Sequence, residues 1–323
     1  MSAPVLPVAP APEAANDRPA DNHRSDARPP HSLGERFRAS QARRRRASVA
    51  VQRPGWFSYT FLIGVLLASI FPLYWSFLIG SGDASTITQR SISPIPGGNF
   101  FANAASVLND PTVNFWKAIG NSIIVSTVVA ASVVWFSTLA GFAFAKLRFR
   151  GKNGLLVFVI ATMAVPTQLG VVPLFIAMSQ LQLAGTLGAV ILPAIVSAFG
   201  VFWMTQYLSQ ALPYELIEAA RVDGASMIRT FWSVALPAAR PAAAMLGLFI
   251  FIATWTNFFW PFIVLDRQDP TLPVALSLLQ SNYFVDYSIV MAGVLLSTIP
   301  LLILFAVAGR HLVSGIMQGA VKG

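Results

Sequence analysis

The chain has 323 residues, of which 55% are hydrophobic and only 11% charged. A soluble domain carries about 25% charge, and several apolar runs here reach the roughly 20 residues a membrane helix needs, so the composition predicts an all-α integral membrane protein and excludes a soluble fold. There is no cysteine, which removes disulfides and thiolate metal sites, His23, His31 and His311 are too scattered for a zinc site, and a net charge of +9 in a membrane chain reports loop topology ahead of nucleic-acid binding.

Residues 1–53 are rich in Ala, Pro, Arg and Asp and show little apolar periodicity, which predicts a disordered basic tail. The tail closes on Arg43-Arg44-Arg45-Arg46, a contact for anionic lipid or a retention signal on the cytoplasmic face. A secretory signal peptide is not expected, because its apolar core would begin sooner and a small-residue cleavage site would follow.

Residues 54–310 divide into six predicted spans, at about 56–79, 118–145, 155–178, 188–207, 242–265 and 286–309. Trp56 and Tyr59 suit an interface at the start of the first. A polar loop with Gly80-Ser-Gly-Asp83 and Pro94-Ile-Pro-Gly-Gly98 leads to the second, which carries Asn121-Ser122 near its start and ends in the basic run Lys146-Leu-Arg-Phe-Arg-Gly-Lys152. The third contains Pro166 and Pro173 and is followed by an uncharged loop, and the fourth contains Pro193.

Residues 208–240 form the longest charged segment between apolar runs in the second half of the chain. Pro213 suits the first turn of a helix, where its missing N–H costs nothing. Glu215, Glu218 and Arg221 follow at helical spacing, which places Glu218 and Arg221 on one face. Gly224 stops that helix through a positive φ, and Ser226 caps a second short helix expected to run from Met227 to about Leu236 and to end at Pro237. The segment reads as helix, tight glycine turn, helix: either a plain solvated hairpin between two spans or a docking surface. Beyond it lie the fifth span, a polar loop with Asp266, Arg267, Asp269 and Pro270, the sixth span with Pro300, and a tail over 311–323.

Orientation follows from Lys and Arg alone. The N-terminus, the loops after the second and fourth spans, and the C-terminus hold 19 of them, and the alternate loops hold 3. Both termini and residues 208–240 are therefore expected in the cytoplasm.

Glu218-Ala219-Ala220, three residues, Gly224, nine residues, Val234, one residue and Leu236-Pro237 together resemble the cytoplasmic "EAA" loop of ABC importer permeases, with Val234 where that family usually has Ile. Four further stretches look like the maltose-type carbohydrate permeases of bacterial ABC importers: Val165-Pro-Thr-Gln168 with Val172-Pro-Leu-Phe175, Trp255-Thr-Asn-Phe-Phe-Trp-Pro261, Thr271-Leu-Pro-Val-Ala-Leu276, and the ending Gly319-Ala-Val-Lys-Gly323. The fifth span of that family often reads Trp-Asn-Asp-Phe, which Trp255, Thr256 and Asn257 match in part. The resemblance implies a type I importer permease in the bacterial cytoplasmic membrane. It implies a homologous second permease, two ATPase subunits and an extracytoplasmic solute-binding protein as partners, with lipid around them. It also implies that Glu215, Glu218, Ala219, Ala220, Arg221, Asp223 and Gly224 dock into an ATPase and transmit its movement.

No Gly-x4-Gly-Lys-Ser/Thr device occurs, since Gly151-Lys152 is followed by Asn153 and lacks the upstream glycine. The chain is therefore expected to be no enzyme and to hold no cofactor, ATP being bound by the partner. The solute path needs polar groups at mid-depth, and the candidates are Thr162, Thr167 and Gln168, then Thr254, Asn257 and Trp260, then Ser297 and Thr298. Thr254, Asn257 and Pro261 share a face at helical spacing, among aromatic rings that suit a neutral sugar. Such groups also serve as glue between membrane helices, and Trp260 as an interface anchor. The alternatives are a secondary transporter, which normally carries ionisable groups inside the membrane where these spans have none but Asp286 at an edge, and a permease for a non-sugar cargo such as glycerol phosphate.

Overall fold

A backbone in lipid must satisfy its own polar groups, and helices do so within one segment. The computed structural model describes residues 55–88, 93–281 and 285–320, without the side chains of 88, 308 and 310–320, and these residues are helical apart from their connections. The basic tail over 1–53, its Arg43–Arg46 cluster and the last three residues lie outside the described residues. Among the described residues, five helices are long and apolar enough to cross a membrane, and a bent pair raises the number to six when it is counted as one span.

The first predicted span is the helix α1, Trp56–Gly80, which buries Leu78, Ile79 and Gly80 at its end. The polar connection that follows contains a short helix, α2 (Phe100–Asn109), which the sequence reading took for loop. Asn103 fastens that connection by donating from Nδ2 to the carbonyls of Gly80 and Gly82 at 3.0 and 2.9 Å.

The second span is α3, Phe115–Lys146, an unbroken helix of 32 residues. It packs against α6 (Leu187–Ala194), α7 (Ala198–Ala211), α10 (Leu236–Trp255) and α12 (Leu272–Leu278). Two apolar clusters meet along it. One gathers Val107, Phe115, Ala118, Trp255, Leu272 and Val290 about its first turns. The other gathers Val125, Val129, Val133, Phe142, Met204, Leu208 and Leu246 about the remainder.

Lipid tails are as apolar as leucine, so small residues that let backbones approach decide such packing. A Cβ on Gly141 would lie 2.6 Å from that of Met204, and one on Gly200 would collide with the Ser137 hydroxyl. Each helix thus receives the other at its own glycine, and the pairs 137 with 200 and 141 with 204 advance in the same sense: α3 and α7 run parallel.

Other boundaries differ from the sequence reading. The third span is not one helix. It is α4 (Lys152–Thr162), a 3-10 turn over Thr167–Gly170 and α5 (Val171–Gln180), with an 87° bend between its halves. Pro166 has no N–H to continue the ladder and turns the preceding Val165 away from helical geometry. The fourth span breaks after Ala194, and Ser197 restarts it by accepting a 3.3 Å hydrogen bond from the Gly200 amide.

The fifth span begins well before 242 and ends at Trp255, and Phe259–Val264 is a separate short helix, α11. Consequently Thr254, Asn257 and Pro261 do not share one helical face: the chain leaves the helix at Thr256, and the Asn257 amide bonds back to the Thr254 carbonyl. The helix of the sixth span, α13, runs from Tyr287 to Ala320, so the chain stays helical beyond 309 and through most of the expected tail.

The polar loop after the fifth span buries α12 rather than exposing it. Asn121 donates to the Pro270 carbonyl at 3.0 Å, the Leu272 amide donates to Ser122 Oγ at 2.7 Å, and Lys117 pairs with Asp269 at 2.8 Å.

Candidate functional site

The charged segment after α7 folds largely from local chemistry. Pro213 takes the capping position just ahead of α8 (Tyr214–Val222) rather than its first turn. Asp223 closes α8, after which Gly224 adopts a φ of 75°. The Gly224 amide donates to the Arg221 carbonyl and the Ala225 amide to the Ala220 carbonyl, at 3.0 and 2.9 Å. This pair of bonds is the glycine-terminated helix end that satisfies two of the carbonyls a helix otherwise leaves open. Ser226 then caps α9 (Met227–Thr230), its hydroxyl accepting from the Arg229 amide at 3.3 Å.

The second helix does not stop at Pro237 as the sequence suggested. A π turn over Phe231–Ala235 joins α9 to α10, so that one shaft of 29 residues runs from Met227 to Trp255. Pro237 falls in the first turns of α10, where the widened backbone relieves the clash of its ring with a carbonyl one turn back. Phe231 and Trp232 seat this junction on Trp135 of α3, with ring centroids 5.8 and 5.2 Å from it.

The segment offers its outer face to solvent. Only Ile217 of α8 is buried, inside the cluster that includes Leu208, Leu212 and Phe231. Glu215, Glu218, Ala219, Arg221, Asp223 and Gly224 are exposed and Ala220 half-buried. No ion pair joins Glu218 to Arg221 among the described residues, although their spacing allows one. Beside these charges stand bare apolar side chains: Val222 is 87% exposed and Ile228 74%. A Cβ at Gly224 would meet nothing within 4 Å. Exposed apolar side chains among charges at a tight turn leave this face of the segment without a cover within the chain.

Sequence reasoning missed how the segment is held. The Tyr214 hydroxyl donates to the carbonyl of Lys146, the last residue of α3, at 2.6 Å. The Lys146 ammonium donates to the Ser209 carbonyl on α7 at 3.1 Å. Lys146 and Arg148 also lie over the Tyr214 ring, 5.5 and 5.6 Å from its centre. No local pattern links positions so far apart in the chain.

The candidates for the solute path are not brought together into one cavity. Gln168 and Thr167 lie exposed in the 3-10 turn at the bend of the third span, with Thr162 exposed at the end of α4. Asn257 is exposed at the break after α10, and Thr254 is half-buried one turn earlier. The Trp260 indole N–H donates to the Ala189 carbonyl of α6 at 3.0 Å, and Ser297 and Thr298 both turn their hydroxyls onto the Val294 carbonyl of their own helix.

Residues 134–318, a stretch that holds the charged segment 208–240 with its glycine turn, here called the knuckle, and the helices from α4 through nearly all of α13, match the family described as binding-protein-dependent transport system inner membrane component. The chain belongs to that family. The permease is 34% identical over 272 residues to the lactose transport system permease protein of Rhizobium radiobacter, covering 83% of its own length and 97% of the relative's. It is 37% identical over 210 residues to the arabinooligosaccharides transport system permease protein of Halalkalibacterium halodurans, covering 65% of its own length and 75% of the relative's. The sn-glycerol-3-phosphate transport system permease protein of Escherichia coli is more distant, 28% identical over 81% of the permease and 95% of that protein. In structure the permease resembles a chain from the crystal structure of a bacterial ABC transporter involved in the import of the acidic polysaccharide alginate. The TM-score is 0.66 at 23% identity, over 87% of the permease and 99% of that chain. The protein is thus a multi-pass inner membrane component of an ABC importer with the fold of such a permease.

Proposed function

We propose that this permease moves a neutral sugar or oligosaccharide across the cytoplasmic membrane, driven by ATP that separate partner subunits hydrolyse. Residues 208–240 dock on those subunits, and Glu215, Glu218, Ala219, Ala220, Arg221, Asp223 and Gly224 form the contact. The observation that carries the reading is the knuckle: a glycine turn at φ 75° with open space around it, flanked by exposed apolar and charged side chains. Such a body transmits a push as a rigid unit, and alternating access follows when nucleotide binds one of two states of the assembly more tightly. The full assembly comprises a homologous second permease, two ATPases and an extracytoplasmic binding protein.

Six spans with both termini in the cytoplasm complete the reading. The parallel course of α3 and α7 supports it, because the chain between them must travel back across the membrane once, and the bent pair α4 and α5 is the segment available. The excess of Lys and Arg on one set of loops gives the direction. A single cysteine in this cysteine-free chain checks it: Ser226→Cys should react with an impermeant maleimide only from the cytoplasmic side and Gly98→Cys only from outside, and the reverse pattern would overturn the orientation.

The solute path is assigned to the two helix breaks, where Gln168 and Asn257 stand with Thr254 and the ring of Trp260 close by in sequence. Irregular backbone at membrane depth is tolerated where it lines a cavity or is covered by protein. The relatives named for lactose and arabinooligosaccharides favour a sugar, and within the six apolar spans read from the sequence no ionisable group but Asp286, at an edge, is present to balance a charged cargo. A binding protein that holds a phosphorylated ligand and no neutral sugar would reverse this in favour of glycerol phosphate. The decisive test of coupling is Gly224→Val. A β-branched residue at positive φ strains the turn by about 1–3 kcal/mol and projects bulk outward. Uptake should fall at least tenfold at normal membrane abundance, with less ATPase co-purified, whereas normal uptake with ATPase bound would reduce the segment to a linker.

A further inference from the structure

The knuckle is joined to the membrane helices in two different ways. In sequence it continues from α7 and into the π turn and α10. In space it is also gripped by α3, which does not adjoin it in sequence. Tyr214, the first residue of α8, donates its hydroxyl to the Lys146 carbonyl at 2.6 Å. That carbonyl belongs to the last turn of α3 and lacks a helical partner, so the bond satisfies a group the helix leaves open. Lys146 is only 6% exposed, and its ammonium bonds to the Ser209 carbonyl at 3.1 Å, close to the end of α7. Lys146 and Arg148 both sit over the Tyr214 ring, an arrangement in which a cation gains from the ring's quadrupole. Three elements, α3, α7 and α8, are therefore fastened through two side chains.

We infer that Tyr214 and Lys146 are positioning residues that oblige α3 to follow the coupling segment, so that the displacement delivered by the ATPases enters the membrane through α3 directly. This rests on the coupling role proposed above for residues 208–240. The inference gains from what lies at the other end of α3. The helix is about 48 Å long at 1.5 Å per residue, and near its start Lys117, Asn121 and Ser122 hold Asp269, Pro270 and Leu272. A push taken up at Lys146 is thereby carried along one unbroken helix to the segment on the opposite side of the bundle.

The test uses the complete importer, reconstituted with its second permease, ATPases and binding protein in proteoliposomes, with uptake and ATP hydrolysis measured on the same sample. Tyr214→Ala should lower the sugar transported per ATP hydrolysed by roughly 3–10-fold, the worth of a hydrogen bond and ring contact at tenfold per 1.4 kcal/mol, while the ATPases remain bound. Tyr214→Phe keeps the ring beside the two cations and loses only the hydroxyl, so its loss should be about 2–3-fold. Lys146→Arg should retain more coupling than Lys146→Met. If Tyr214→Ala does not assemble, Tyr214→Phe decides. Wild-type transport per ATP in Tyr214→Phe and Lys146→Met would overturn the inference, as would a loss explained entirely by missing ATPase. Gly224→Val in the same assay separates the two ideas. If it uncouples and the Tyr214 variants do not, the clamp alone fails; if it too leaves coupling intact, the role of the loop fails first.

Discussion

Two stretches of the permease, the second and third spans, are alike in being apolar and have opposite fates. The second is one helix of 32 residues with a buried stripe that includes Ala118, Ser122, Ser126, Ala130, Ser137 and Gly141. The third bends by 87°, buries only Met178 among residues 152–180, and exposes Leu155, Val157, Phe158, Val165, Leu169 and Val172. Apolarity places both in the membrane. What separates them is the spacing of small residues, which lets neighbouring backbones approach, against bulky side chains and prolines, which do not. The helix that serves as the spine of this chain is the one with less bulk on its inner side.

The comparison can be broken most severely at Gly141. Gly141→Leu would force α3 away from the Met204 and Thr205 backbone, and overpacking of this kind costs about 3 kcal/mol. The detergent-extracted protein should lose its monodisperse peak on size exclusion, while Leu169→Ala in the third span should shift thermal stability by less than about 0.5 kcal/mol. Equal damage from the two would mean that the small-residue stripe is not what distinguishes the spans.

A second test acts on the bend. Pro166→Ala restores a backbone donor where α4 and α5 are interrupted. Spin labels at Leu155 and Ile176 should then report a longer or broader distance distribution and uptake should drop a few-fold, with the amount of folded protein unchanged. An unaltered distance would mean that packing, and not the proline, sets the bend.

A small effect of the opposite sign is expected at Ser126, whose hydroxyl is buried in α3 without a hydrogen-bond partner among the described residues. Ser126→Ala removes an unsatisfied group and keeps the side chain small, so its change in melting temperature should correspond to between 0 and about 1 kcal/mol of added stability. A clear loss would show that the hydroxyl has a partner in the assembled importer.

How much of this was legible beforehand depended on the range of the interactions involved. The knuckle was readable because Gly224 and Ser226 act on backbone groups no more than four residues away. The spans were readable as apolar lengths, yet composition averaged over a window hid the break at Pro166 and the restart at Ser197. Pro237 misled because a proline reads as a stop, and the π turn that accommodates it has no sequence signature. The shared face of Thr254, Asn257 and Pro261 was lost with the helix end at Trp255. Tyr214 and Lys146, like Asn121 with Pro270, are tertiary partners, and nothing in either segment alone specifies the other.

The π turn over Phe231–Ala235 carries one more implication, which is a matter of phase. A turn that bonds across five residues instead of four holds one residue more than an α-helix needs, and one residue of helix corresponds to about 100° of rotation. The bearing of the proposed docking surface about the axis of the Met227–Trp255 shaft is therefore fixed by a count of residues. Shortening that turn by one residue would leave every residue of the Glu218-to-Gly224 motif in place and swing the surface proposed to meet the ATPases through a quarter-turn or more.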